Sequence, residues 1–256
     1  MGILEFSILL PALLAGILVV STHIPLGQEV LRRGIIFIDL AIAQVAGLGV
    51  IAAYNFGWET HGWEVQAIAI TTALIGALFL YWCEQRWRDV EEAIIGVLFV
   101  LAATAGLLLL ANNPHAGEHL KELLVGQILW TTYDGLIPVA IVYVLVLAGW
   151  FTLYQRLGSV SFYILFAITV TVSVQLVGVY LVFASLIIPA LATRKISRYR
   201  LWYGYAIGLV GYGTGLIASS LLDLPSGAVV VWCLAIAGIL VALTHSAISK
   251  SVKTAA

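Results

Sequence analysis

Charge is what this sequence has least of. Only 10% of its 256 residues are Asp, Glu, Lys or Arg, whereas 62% are hydrophobic. Soluble domains carry about 25% charged residues, so the shortfall excludes an ordinary soluble globule. A Walker A pattern is missing, as is a G-x-G-x-x-G loop at a strand–helix junction, which excludes nucleotide binding by either route. Cysteine is nearly absent. Cys83 and Cys233 lie in or at the end of apolar runs, with no second Cys or His at metal-ligand spacing. Both read as small buried hydrophobes. The formal net charge of −1 says little, because where the charges fall matters more than their sum.

What is present is long and apolar. The mean hydropathy is +1.07, and apolar runs fall near residues 3–22, 35–54, 65–83, 92–112, 135–154, 162–192, 201–222 and 227–248. Runs of about 20 apolar residues are the signature of membrane-spanning helices. The expected fold is an all-α polytopic membrane protein with about eight transmembrane helices plus a broken or re-entrant segment. These form one transmembrane domain over residues 1–256, with no soluble domain. The first run lacks a basic n-region and is expected to be a retained span.

Cations cluster near the cytoplasmic ends of membrane helices. With the N-terminus outside and alternating loops, Arg32, Arg33, Arg86, Arg88 and Arg156 fall inside, as do Lys250 and Lys253 at a cytoplasmic C-terminus. Arg194, Lys195, Arg198 and Arg200 join them only if the 31-residue run Phe162–Ala192 goes out and returns. One crossing takes about 20 residues, so this run is expected to hold a full helix to about Val177, a break at Gly178 and a short returning half-helix ending near Pro189. Broken segments of this kind are tolerated where protein packs around them or they line a cavity. Only Lys121 of the twelve cations then lies outside. The outer loops become 55–64, 113–134 and 223–227. Trp58, Trp63, Trp130 and Tyr133 sit where an interfacial aromatic belt is expected, and Leu120–Trp130 reads as an interfacial or re-entrant helix.

Within this frame the stretch Arg32–Gly49 (RRGIIFIDLAIAQVAGLG) stands out. Asp39 is the only acidic residue well inside an expected span, and ionisable groups there usually face a bundle interior or a polar pathway. Its carboxylate is a hard oxygen ligand suited to Mn²⁺ and acceptable to Zn²⁺; alternatively it pairs with Arg32 or Arg33. Gln44 offers either an amide oxygen to a metal or an interhelical hydrogen bond, and Gln175 poses the same choice. In the third outer loop, His115, Glu118, His119 and Glu122 (HAGEHLKE) include two imidazoles at i, i+4. They are either a loose Zn²⁺ site or a solvated polar loop, and Glu59 and His61 pose a weaker version of that choice. His23 and His245 read as interfacial residues. Glu91 and Glu92 suit the N-terminus of their own helix.

Several separated stretches carry a family resemblance. Arg32–Gly49, Glu92–Leu110 (EAIIGVLFVLAATAGLLLL), Leu123–Leu129 (LLVGQIL), Val177–Arg194 (VGVYLVFASLIIPALATR) and Leu222–Val230 (LDLPSGAVV) resemble, in order, the permease subunits of zinc- and manganese-importing ABC transporters. The resemblance implies a two-copy permease working with a cytoplasmic ABC ATPase subunit and an extracytoplasmic metal-binding protein. The divalent metal would be substrate, with no resident cofactor and no nucleic acid. It places Asp39 on the transport path in a bacterial inner membrane. It also implies that the basic inner loop around Ala190, Thr193, Arg194, Lys195, Arg198 and Tyr199 fits the ATPase, as a helix break followed by a basic amphipathic piece that could also touch anionic lipid.

Two departures stand against the pattern. The family's His, four residues after the Asp, is here Ala43. In an ideal helix Asp39 and Ala43 lie about 40° apart, but Asp39 and Gln44 about 140°, so Gln44 does not simply replace the imidazole. The inner loop Gln155–Ser161 is also short for the family. That feature motivates the alternative of a metal transporter or channel that works without an ATPase.

Overall fold

The computed structural model describes residues 6–55, 63–110, 124–126 and 128–254. Among these residues run nine helices longer than one turn: α1 (Phe6–Arg33), α2 (Ile38–Asn55), α3 (Trp63–Arg86), α4 (Glu91–Leu110), α5 (Tyr133–Thr152), α6 (Ser159–Val177), α7 (Val179–Ala192), α8 (Arg200–Leu222) and α9 (Ser226–Thr254). A helical turn at Tyr154–Leu157 separates α5 from α6, and 3-10 turns lie at Arg88–Val90 and Ile128–Trp130. All except α2 and α7 are long and apolar enough to cross a membrane by length and composition. The protein is a polytopic all-α membrane protein.

The sixth apolar run breaks at Gly178, as expected. Its φ of 81° and ψ of 160° lie where a residue with a Cβ is strained. The 14 residues of α7 span about 21 Å at 1.5 Å per residue, short of the roughly 30 Å hydrocarbon core. Two boundaries differ from the sequence reading. α7 does not end near Pro189 but carries that proline inside and continues to Ala192. The Pro189 carbonyl accepts both the Thr193 N–H at 3.1 Å and the Thr193 hydroxyl at 2.7 Å, which holds the turn beyond the proline. α1 also passes its expected end and runs on to Arg33. His23 therefore lies within a helix and is wholly buried against protein, its Nδ1 2.8 Å from the Val19 carbonyl.

The chain divides into two compact units. The first comprises Met1–Arg33, Gln127–Ile137 and Tyr180–Ala256; the second comprises Gly34–Gly126 and Pro138–Val179.

In the first unit, α8 packs between α1 and α9 through small residues. A Cβ on Gly204 or Gly208 would press Ile24 or Val20 of α1 at 2.8 Å, and one on Gly211 or Gly215 would meet Leu234 or Val230 of α9. Close backbone approach of this kind substitutes for hydrophobic driving force where the solvent is lipid. Between those contacts the buried Tyr212 hydroxyl pairs with Ser185 Oγ of α7 at 2.9 Å. The α8–α9 connection is set by Asp223, left-handed at φ 52°, and by the Ser219 hydroxyl, which donates to the Leu224 carbonyl at 2.7 Å. Pro225 then precedes the first turn of α9, so the LDLPSG segment is a helix-ending turn.

In the second unit, α3 lays Ala69, Ala73, Gly76 and Ala77, all buried, along its packed face. Gly76 abuts Val45 and Gly49 abuts Thr72, joining α2 to α3. α6 is the most enclosed span. Its buried Thr169, Thr171 and Ser173 hydroxyls each donate one turn back, to Leu165, Ala167 and Thr169 carbonyls, so these polar groups are satisfied inside the helix. Both cysteines are free, Cys83 buried and Cys233 half-buried.

Candidate functional site

The second unit begins where α1 stops. Gly34, at φ 81°, turns the chain out of α1 in the left-handed conformation common just past a helix end, and α2 starts four residues later. Asp39 therefore sits in the first turn of α2. It is 1% exposed, and neither carboxyl oxygen closes a hydrogen bond. The cations that the sequence sets against it are engaged elsewhere. Arg32 grips Glu29 through Nε and Nη2 at 2.8 and 2.6 Å, and Arg33 Nε donates to the same carboxylate at 2.7 Å.

A second carboxylate reaches this place from α4. The Phe37 N–H, just ahead of α2, donates to Glu92 Oε1 at 3.2 Å, and Glu92 Oε2 has no hydrogen-bond partner; the Glu92 carboxyl group lies within electrostatic reach of Asp39. Glu92 thus serves the start of α2 and not only its own helix, which the sequence reading missed. Its neighbour Glu91 is buried and accepts the Tyr163 hydroxyl at 2.6 Å. A buried carboxyl group with no counterion or side-chain donor is costly in its charged form. Asp39 is left in that condition with oxygen lone pairs to spare, a chemistry suited to a hard cation.

Gln44 lies elsewhere on α2. It is half-buried, and with Ala43 it lines a cavity of about 30 Å³ that also touches α4, Leu124, Val174 and Val179. Asp39 is not in that lining; it sits a full turn nearer the start of α2 than Ala43, the first lining residue on that helix. The cavity lies beside two breaks in the backbone. Gly126, at φ 69°, and Gly178, at φ 81°, meet so closely that a Cβ on either would strike the other segment's backbone. Irregular backbone at membrane depth is tolerated where protein encloses it or it lines a cavity; Gly178 is buried, and Leu124 and Val179 beside the two breaks line the cavity. The side chain of Gln175 is half-buried.

His115, Glu118, His119 and Glu122 lie outside the described residues, as do Glu59, His61 and most of the expected helix over 120–130. Of the latter, Leu124 and Val125 are helical, Gly126 breaks the helix and Ile128–Trp130 form a 3-10 turn. Among the described residues no group of three His, Cys, Asp or Glu is placed to hold a metal.

The basic segment after α7 is a non-helical turn with one buried and one exposed side. Ala190, Thr193 and Ile196 are buried at 2%, 0% and 5% exposure, whereas Arg194, Lys195, Arg198 and Tyr199 are exposed. The Ile196 N–H donates to the Thr193 carbonyl at 2.9 Å, so two buried side chains pin a loop whose cations project outward. Tyr199 holds a left-handed φ of 64° at the start of α8, with the Arg198 guanidinium 4.9 Å from its ring centroid. A tyrosine in that conformation is strained, and such strain gathers at functional turns.

Comparison with known proteins carries the reading further. The chain is 27% identical to the high-affinity zinc uptake system membrane protein ZnuB of Haemophilus influenzae, over 89% of this chain and 94% of that one. It is also 27% identical to the manganese transport system membrane protein MntC of Halalkalibacterium halodurans, over 90% and 84%. Its fold matches that of PsaBC from Streptococcus pneumoniae, solved in complex with Fab, with a TM-score of 0.74 at 18% identity over 93% of this chain and 91% of that chain. The profile of the ABC 3 transport family matches residues 5–163 and 156–245. With its broken span, its LDLPSG turn and that match along nearly the whole length, the chain belongs to the ABC 3 transport family.

Proposed function

We propose that this chain is the membrane-spanning permease subunit of an ABC importer that carries a divalent metal cation, zinc or manganese, across a bacterial cytoplasmic membrane. The observation that carries the reading is Asp39, a carboxylate 1% exposed with both oxygens unpartnered. Family membership and the printed functions of the two relatives, one for zinc and one for manganese, support the choice of cargo.

In this reading the chain hydrolyses nothing. A cytoplasmic ABC ATPase supplies the energy, an extracytoplasmic binding protein delivers the metal, and a second copy of the chain completes the pathway. The N-terminus is outside and the C-terminus inside, which places the turn Ala190–Tyr199 against the ATPase. Closure of the ATPase draws the exposed Arg194, Lys195, Arg198 and Tyr199 inward. The pinned residues Thr193 and Ile196 pass that movement to α7. ATP can bias the pathway only through its different affinity for the inward- and outward-open states. The metal, held in passing by Asp39, Gln44 and groups from outside this helix, with His115, Glu118 and His119 collecting it at the mouth, leaves when the state changes.

The test is uptake of radioactive zinc and manganese into proteoliposomes holding the chain with and without its ATPase. Uptake that requires ATP and the ATPase is expected. Equal uptake by the chain alone would overturn the assignment as an ABC permease.

A further inference from the structure

A trough of about 490 Å³ runs along the first unit between α7 and α9. Ile188 and Leu191 form one wall, and Gly238, Ile239 and Leu243 the other. Gly238 lets the helices approach, since a Cβ there would already stand 3.0 Å from Ile188. The rim is open: Leu191, Ile239 and Leu243 are 45%, 58% and 61% exposed. At one end only, the lining turns polar, with Arg194, Lys195 and His245, and no carboxylate is among its lining residues.

We propose that this trough binds one anionic phospholipid, an acyl chain lying between α7 and α9 and the phosphate held by Arg194 and Lys195. The length fits. From Ala235 to His245 the lining of α9 rises about 15 Å at 1.5 Å per residue, half of a roughly 30 Å hydrocarbon core and so the depth of one leaflet. The polarity fits as well, being apolar along the length and cationic at the end, as an anionic amphiphile requires. Basic pockets between membrane helices bind anionic headgroups by this combination of charge and apolar wall. The lipid would also brace the turn proposed to meet the ATPase, but its binding requires only the membrane setting of the chain and not that role.

The full chain is reconstituted in vesicles of equal phosphatidylglycerol and phosphatidylcholine, extracted in mild detergent, and its retained lipid counted by native mass spectrometry. Two cations at about 1 kcal/mol each predict a preference for phosphatidylglycerol of roughly 30-fold. The exposed double substitution Arg194→Gln, Lys195→Gln is expected to bring the preference close to one. Ala242→Trp, which fills the trough from an exposed position, is expected to lower retention of both lipids. No preference in the native chain, or a preference that survives both variants, overturns the proposal. So does efficient disulfide cross-linking of Ile239→Cys between two copies, which would show a second chain covering the trough. None of these readouts involves transport, so the proposal and the importer reading fail separately.

Discussion

Glu29 and Asp39 stand ten positions apart, and both are nearly sealed from solvent, at 7% and 1% exposure. Glu29 is held by two guanidinium groups at 2.6 and 2.7 Å. Asp39 is held by none, and its oxygens make no hydrogen bond. The first is how a fold keeps a buried charge, with a partner for every lone pair it can reach. The second leaves carboxyl oxygens with no side-chain partner, which the proposed importer reading assigns to a passing cation. Two carboxyl groups of like chemistry thus differ by their surroundings, one clamped by cations and one left without them.

The comparison breaks most visibly if Glu29 proves dispensable. Removing one member of a buried ion pair costs about 3–5 kcal/mol. Arg32 is 65% exposed and can turn to water, whereas Arg33 is only 13% exposed, so Glu29→Gln is expected to cost on the order of 2 kcal/mol. A clear fall in melting temperature in detergent would record it, and an unchanged one would count against the structural role.

A smaller effect is expected at Ala43, where the family's imidazole is missing. Ala43→His must fit beside a cavity of only about 30 Å³, room for a water and not for a ring. The overpacking is expected to cost about 1–2 kcal/mol without metal. Zinc at 100-fold above its dissociation constant would return up to about 2.7 kcal/mol if the new ring binds it. Thermal shifts with and without zinc distinguish a completed ligand pair from mere crowding.

The smallest effect belongs to Arg32→Ala. An exposed ion-pair partner is worth about 0.5 kcal/mol, so its melting curve is expected nearly to overlay the native one. Arg33→Ala is expected to lose more, because its guanidinium is the buried half of the clamp. Equal losses would mean that burial does not set the strength of this pair.

Much of this arrangement is legible in the sequence, and the reasons for the rest are physical. The break at Gly178 is readable because a 31-residue apolar run cannot be one crossing, and glycine is the residue that accommodates a positive φ. Pro189 misleads, because a helix goes on past a proline when its carbonyl still finds donors, here from Thr193. The run-length reading ends the first span near residue 22, at the polar pair Ser21 and Thr22. Ser21 and Thr22 instead turn their hydroxyls back to the Leu18 and Val19 carbonyls, which lets the helix continue buried to Arg33. Asp39 is conspicuous as a lone acid in an apolar run. Glu92 is not, because the N–H it accepts is 55 positions away, and periodicity within one helix carries no such information. The same holds for the meeting of Gly126 with Gly178, where each glycine reads as a turn but their contact belongs to the tertiary fold.

Whether Asp39 is kept unpaired for a divalent cation is tested directly by one measurement. ATP-driven metal uptake is compared between Asp39→Asn and Glu29→Gln, each scaled to the amount of folded protein. Loss of even an outer partner of a metal ligand typically costs about 10–100-fold. Asp39→Asn is therefore expected to reduce uptake by at least about 10-fold, with its melting temperature little changed because the amide is nearly isosteric with the carboxyl group. Glu29→Gln is expected to retain uptake per folded molecule. Full uptake in Asp39→Asn, or an equal loss in both variants, would contradict the account.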